Sequence, residues 1–285
     1  MPRAWLCCSE AQQGMFELLM LCTAMLLTGI MGGILAGLLG VGGGLVVVPM
    51  LDFALGFMGV DPSIRMQIAV ATSLATIIPT SISTSRGHYK RNAVDMDLAK
   101  KWAPWIFFGA LAGAWAASQV HSRVLYGIFA GVALLVALKL MLPLDNKAVT
   151  RKVPDGPSIY PVPTLIGFIS TLMGIGGGSL SVPILNFYGE PIHRAVGTSA
   201  LFGLLIAVPG TLGFMITGYG NPYLPFGSIG FVNLVGFVMI APATVLAAPL
   251  GVRLAHSMEK RHLTLLFGTF LLIVSVRMLI RSWQG

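Results

Sequence analysis

The chain has 285 residues, 55% hydrophobic and only 10% charged, with a mean hydropathy of +0.84 and a formal net charge of +8. Apolar runs of about 20 residues, enough to cross the hydrocarbon core, recur along it, which excludes a soluble domain and predicts an all-α polytopic integral membrane protein. The positive charge falls between the runs, so it governs topology and headgroup contact rather than nucleic-acid binding.

Residues 1–15 form a short tail in which Glu10 balances Arg3. The apolar run 16–40 is too long for the core of a signal peptide, so it counts as a mature helix over 16–39. That helix carries Gly29, Gly32, Gly33, Ala36 and Gly37, small residues that let membrane helices approach closely. A Gly29→Ala change on this packing face is expected to be mild. Cys7, Cys8 and Cys22 have neither ligand spacing nor a partner His, so no metal site is expected.

The run then breaks at Gly40-Val41-Gly42-Gly43-Gly44, followed by a short arm over 45–57. Glycine is the poorest helix former after proline, and in lipid a broken helix persists only where protein or a cavity covers the freed backbone. As one helix, 16–57 would be about 60 Å long, twice the hydrocarbon core, so the arm must turn back or lie across.

A third element over 64–85 contains Val70-Ala71-Thr72-Ser73 and Pro79. Loop 86–101 is the most charged, with Arg86, Lys90, Arg91, Lys100 and Lys101 against Asp95 and Asp97, and the positive-inside rule makes it cytoplasmic. Helices over 102–119 and 123–142 follow. A polar, Pro-rich linker over 143–159 carries Lys147, Arg151 and Lys152.

The second half repeats the first. Met173-Gly174-Ile175-Gly176-Gly177-Gly178-Ser179 matches the first break at an offset of 134, and Val182-Pro183 matches Val48-Pro49. Val196-Gly197-Thr198-Ser199 matches Val70-Ala71-Thr72-Ser73, with eight fewer residues between. Arg123/Arg261 and Lys139/Arg277 share an offset of 138. The chain therefore divides into the tail 1–15, a first membrane repeat 16–142, the linker 143–159 and a second repeat 160–285.

Loop 218–226 has no charge, whereas 252–262 holds Arg253, Lys260 and Arg261. Placing 86–101 and 252–262 inside and 218–226 outside gives each half an odd number of crossings, or three crossings plus a re-entrant hairpin, and so inverted repeats. The rival arrangement has four crossings per half and parallel repeats.

A helix that starts inside the membrane presents unpaired N–H groups and the positive end of its dipole, an anion site without a charged side chain. The expected substrate-binding residues are Gly42, Gly43, Gly44 and Leu45 with Gly176, Gly177, Gly178 and Ser179. A β-carbon at Gly43 or Gly177 would block a left-handed backbone or the ligand's approach. Thr72, Ser73, Thr198 and Ser199, with Ser179 and Ser181, add hydroxyl donors, or simply bond back to their own helices. The glycines could instead serve only tight packing.

Asp52 is an ionisable residue in the first arm with Asn186 at the matching position, and so a candidate for proton coupling unless it lies solvated at the interface. Lys139 and Arg277 are expected to snorkel from helix ends. No lysine follows the glycines as a phosphate-binding loop requires, so ATP is not the direct energy source. His88, His121, His193, His256 and His262 fall in or beside loops, leaving no nucleophile–His pair at membrane depth, so an enzyme is not expected. No catalytic residue, cofactor or metal is assigned.

The doubled Gly-x-Gly-Gly-Gly, the Val-Pro after each, and the Ala-Thr-Ser and Gly-Thr-Ser segments resemble the TauE/SafE family of membrane permeases, also called the sulfite exporter family, over 16–282. The resemblance implies a duplicated membrane unit in the bacterial inner membrane that exports or takes up sulfite, organosulfonates or related small anions. Transport of another small organic anion, or a non-transporting partner subunit, stays open alongside it. So do the coupling ion, the direction and the oligomeric state.

Overall fold

The computed structural model describes residues 23, 25–34, 43–142, 160–257 and 260–284. Among these, α1 (Met25–Ile34), α2 (Gly44–Phe57), α3 (Pro62–Tyr89), α4 (Met96–Gln119) and α5 (Ser122–Met141) make up the first half. The second half contains α6 (Pro161–Met173), α7 (Gly178–Phe187), α8 (Ile192–Thr217), α9 (Leu234–Ser257) and α10 (Lys260–Gln284). A two-residue antiparallel hairpin, β1 (Ser228–Ile229) and β2 (Val232–Asn233), precedes α9. Among the described residues the fold is all-α apart from that hairpin, which sequence patterning had not suggested. Pro62–Tyr89, Ser122–Lys139 and Ile192–Thr217 are long and apolar enough to cross a membrane.

Helix ends follow local chemistry. Asp61 caps α3, accepting from the Ser63 amide at 2.8 Å with Pro62 in the first turn. Asp95 caps α4, accepting from Asp97 and Leu98 amides at 3.1 and 2.9 Å. Both charged loops are tighter than expected. Helix α3 runs on to Tyr89 and α4 starts at Met96, leaving only 90–95 between them, and α9 continues to Ser257. A Pro in the first turn starts α6, and Gly174, at φ 67°, ends it. The Gly174 amide donates to the Thr171 carbonyl and the Ile175 amide to that of Ser170, the paired bonds of a left-handed helix stop.

Packing repeats reciprocally between the two halves. Helix α1 lies on α9, where a β-carbon at Gly33 would stand 2.4 Å from the Thr244 carbonyl oxygen. Helix α6 lies on α4, where a β-carbon at Gly167 would stand 2.3 Å from that of Ile106. Gly33 and Gly167 are 134 residues apart, and Ile106 and Thr244 are 138 apart, so these are the same contact made twice, each across the halves. In both pairs the contacts advance together along the two helices: Gly29 meets Ile240 and Gly33 meets Thr244, while Gly109 meets Thr164 and Gly113 meets Phe168. Backbones this close leave no room for any side chain. This overturns the expected mildness of Gly29→Ala, because the added carbon would fall 2.7 Å from the Ala243 methyl and 2.8 Å from the Ile240 carbonyl.

Helices α3 and α8 form the centre, with Gly210 lying against Leu74 and Gly203 against Ser81. Trp102 of α4 stacks on Phe202 of α8 at 5.7 Å between ring centroids. Helix α5 packs on α10, the last turn of α10 meeting the first of α5, with Ser282 Oγ beside Gly127. Leu135, Leu165, Leu212, Leu246 and Ile273 point outward, an apolar exterior suited to acyl chains.

Candidate functional site

The two breaks meet. A β-carbon on Gly44, the first residue of α2, would stand 2.4 Å from the Gly174 carbonyl oxygen and 2.8 Å from the Ile175 Cα. The Ser73 hydroxyl of α3 donates to that same carbonyl at 2.8 Å. Thus the start of one short helix, the break of the other half and one of the predicted hydroxyls converge at one buried point. Gly43, Gly44 and Leu45 are buried there, as are Gly176, Gly177, Gly178 and Ser179. Gly42 lies outside the described residues. Neither α2 nor α7 receives a side-chain cap.

The expected left-handed glycine sits elsewhere. Gly43 and Gly177 have φ of −54° and −42°, open to any residue, and among the described break glycines Gly174 is the one at positive φ. What Gly43 and Gly177 accommodate is close approach. A β-carbon at Gly43 would meet the Gly32 carbonyl oxygen at 2.7 Å; one at Gly177 would meet the Ile206 Cδ1 at 2.8 Å and the Ser181 Oγ at 3.2 Å.

The Thr-Ser segments divide by role. Thr72 Oγ1 accepts from the Asn233 amide at 2.9 Å, and Thr198 Oγ1 accepts from the Asp95 amide at 2.9 Å. Asp95 and Asn233 are 138 residues apart, and each accepts an amide three residues on, from Leu98 and Gly236. Both threonines therefore latch the start of a helix in the opposite half. Ser199 donates to its own helix at Val196, while Ser73 alone of the four reaches a break.

Asp52 is fully buried rather than solvated. Tyr126 of α5 donates to its Oδ1, and Arg281 of α10 lies 3.4 Å from its Oδ2 as an ion pair without an aligned hydrogen bond. Arg277, the expected snorkeller, stands 4.6 Å over the Phe53 ring. Neither Tyr126 nor Arg281 carries a motif, and only the fold joins them to Asp52.

Five buried hydroxyls near the second break have no hydrogen-bond partner: Ser170, Thr171, Ser179, Ser181 and Thr211. They account for most of the eight unpartnered buried side-chain atoms among the described residues, although only Ser179 and Ser181 were singled out by sequence. Column-by-column comparison of the repeats would have found more of them. Ser170, Thr171, Ser179 and Ser181 stand where the first half has Ala36, Gly37, Leu45 and Val47. No grouping of three or more His, Cys, Asp or Glu side chains suited to a metal occurs among the described residues.

Comparison with known proteins agrees with the early resemblance. The family model for the sulfite exporter TauE/SafE matches residues 25–278. A "Probable membrane transporter protein" of Haemophilus influenzae is 33% identical over 94% of this chain and 100% of its own length. Similarly described proteins of Methanocaldococcus jannaschii and Bacillus subtilis are each 27% identical, over 93% and 88% of this chain and 98% and 94% of their own lengths. No solved structure matches the chain.

Proposed function

The chain belongs to the sulfite exporter TauE/SafE family, and from that premise we propose that it is a secondary transporter or facilitator of small sulfur-containing anions, sulfite and organosulfonates, across the bacterial inner membrane. The observation that carries this is the meeting of the two breaks, with Gly44 packed on Gly174 and Ile175. An uncharged helix start buried at such a junction supplies amides and a dipole to an anion whose burial would otherwise cost several kcal/mol. The amides of 42–45 and 176–179 are the proposed ligands.

The halves are proposed to be inverted, each with a re-entrant pair and three crossings. The ends of α2 and α10 and the starts of α3 and α5 gather on one face, linked by Asp52, Arg281, Tyr126 and the Ser122 hydroxyl, which donates to the Ser63 carbonyl at 2.8 Å. The end of α3 and the starts of α4 and α8 gather on the other, where Arg194 pairs with Asp95 at 3.2 Å. That second face holds Arg86, Lys90 and Arg91 and is cytoplasmic by the positive-inside rule. Arg281, which would count against this orientation as a free charge, is paired with Asp52. Labelling of single cysteines at Lys90, Asn221 and Lys260 checks it; modification of Asn221 from the cytoplasm, or of Lys260 from outside, removes the inverted arrangement.

Proton coupling is assigned to Asp52, whose release from Arg281 on protonation would free one link between α2 and α10. The transport reading is tested by counterflow of labelled sulfite into proteoliposomes containing only this chain, against sulfonates, thiosulfate and carboxylates. Competition by carboxylates alone would replace the substrate class, and an absence of flux would make the chain a partner subunit.

A further inference from the structure

We infer that the anion site is one-sided in its side chains: to the backbone amides of the two breaks the second half alone adds hydroxyl donors, Ser170, Thr171, Ser179 and Ser181, with Thr211 at their edge. This rests on the anion-transport reading and names the side chains that would carry it.

Four observations converge. First, Ser170, Thr171 and Ser181 are fully inaccessible and Ser179 and Thr211 are 6% and 4% exposed, yet no group among the described residues satisfies any of them. A buried hydroxyl without a partner costs about 1–3 kcal/mol, so a concentration of them is unfavourable unless something other than the chain uses them. Second, chain geometry draws them together. Ser170 and Thr171 form the last turn of α6, whose stop at Gly174 folds the chain directly into α7, where Ser179 and Ser181 occupy the first turn. The Ser181 Oγ stands beside Gly177, which packs on Ile206 and Phe202 of α8, and Thr171 stands against Gly210, the neighbour of Thr211 on α8. Third, the start of α7 supplies amides to the same corner, so donors and the positive end of a dipole coincide. Fourth, the first half has Ala36, Gly37, Leu45 and Val47 in the four matching places, so the corresponding corner lacks these hydroxyl donors.

Hydroxyl protons rotate to meet an acceptor, and several around one helix start suit a ligand with several oxygens pointing different ways. A pyramidal or tetrahedral oxyanion, such as sulfite or a sulfonate head, fits this better than a planar carboxylate, which offers two oxygens in one plane.

The test uses the purified full chain in detergent, with thermal unfolding followed while sulfite, methanesulfonate or acetate is titrated as sodium and as choline salts. The double variants Ser179→Ala/Ser181→Ala and Ser170→Ala/Thr171→Val are compared with the parent. The expected result is a sulfite Kd raised tenfold or more in each, with the Tm of the unliganded protein unchanged or higher, because removing an unpaired buried hydroxyl relieves its desolvation. A Kd within twofold of the parent overturns the site while leaving the transport reading intact. Weaker binding with a matching fall in unliganded Tm also overturns it, since the hydroxyls would then support the fold. A shift that follows sodium whatever the anion makes this a cation site and overturns it too. If the parent shifts with none of the anions, the transport reading fails and this assignment fails with it.

Discussion

The two glycine breaks share a sequence pattern but differ in chemistry. At the first, Leu45 and Val47 begin the short helix, and its far end holds the only fully buried carboxylate among the described residues, Asp52, tied to Tyr126 and Arg281. At the second, Ser179 and Ser181 begin the short helix and Asn186 replaces the carboxylate. The scaffold has stayed symmetric where it latches the halves, through Thr72 with Asn233 and Thr198 with Asp95. It has diverged where a ligand or a proton would act. Duplication thus supplies the frame twice, and each copy can specialise without disturbing the shared packing.

The largest expected effect comes from breaking the frame. Gly167→Val and Gly33→Val would each force two helix backbones apart, costing about 3 kcal/mol or more, and both should abolish recovery of monodisperse protein. Equal loss from the two would confirm that the paired contacts are equivalent. The two breaks should then separate under Gly43→Ala and Gly177→Ala. The first drives a carbon into the Gly32 backbone and should destabilise by about 1–3 kcal/mol, whereas the second meets side chains, most closely the end of Ile206 and then the Ser181 hydroxyl, and should fold, with weakened anion binding. If both lose transport only in proportion to folded protein, the glycines serve packing alone. Asp52→Asn should cost about 1–2 kcal/mol, less than a fully buried pair because Arg281 stays 29% exposed. It should also remove the response to a pH gradient while substrate exchange persists; continued accumulation driven by that gradient would rule Asp52 out. The smallest effect belongs to the latches. Thr72→Val and Thr198→Val should each lower stability by about 1 kcal/mol, nearly additively, with sulfite affinity unchanged; a selective loss of affinity would return one of them to the site.

Hydropathy and the doubled glycine motif were enough to expect helices, a duplication and short elements at 45–57 and beyond 178. What stayed hidden depends on contacts distant in sequence. The eight-residue difference between the repeats, placed beforehand in a loop, falls partly inside the short helix. Helix α2 has 14 residues and α7 has 10, one turn fewer. The Thr-Ser segments looked like ligand groups because a hydroxyl on an apolar helix has few visible partners. Thr72 finds its partner 161 residues away. Asp52 was conspicuous as a lone carboxylate, but Tyr126 and Arg281 read as an ordinary helix residue and a tail charge until α5 and α10 came together. The unpartnered hydroxyls were partly legible, since a Ser facing a Val in the matching column is a change of chemistry.

The exchange of partners between halves, α1 with α9 and α6 with α4, also bears on how the molecule is made. Helix α1 is made well before the second half, yet Gly29 and Gly33 find their mates only when residues about 210 positions later have been synthesised. At roughly 5–20 residues per second, that is a wait of about 10–40 s during which a glycine-lined stripe faces lipid or a chaperone. Folding of the first half is therefore contingent on completion of the second. A ribosome stalled in the linker would leave an intermediate open to degradation, and the two halves expressed as separate chains should each be unstable alone yet recover together.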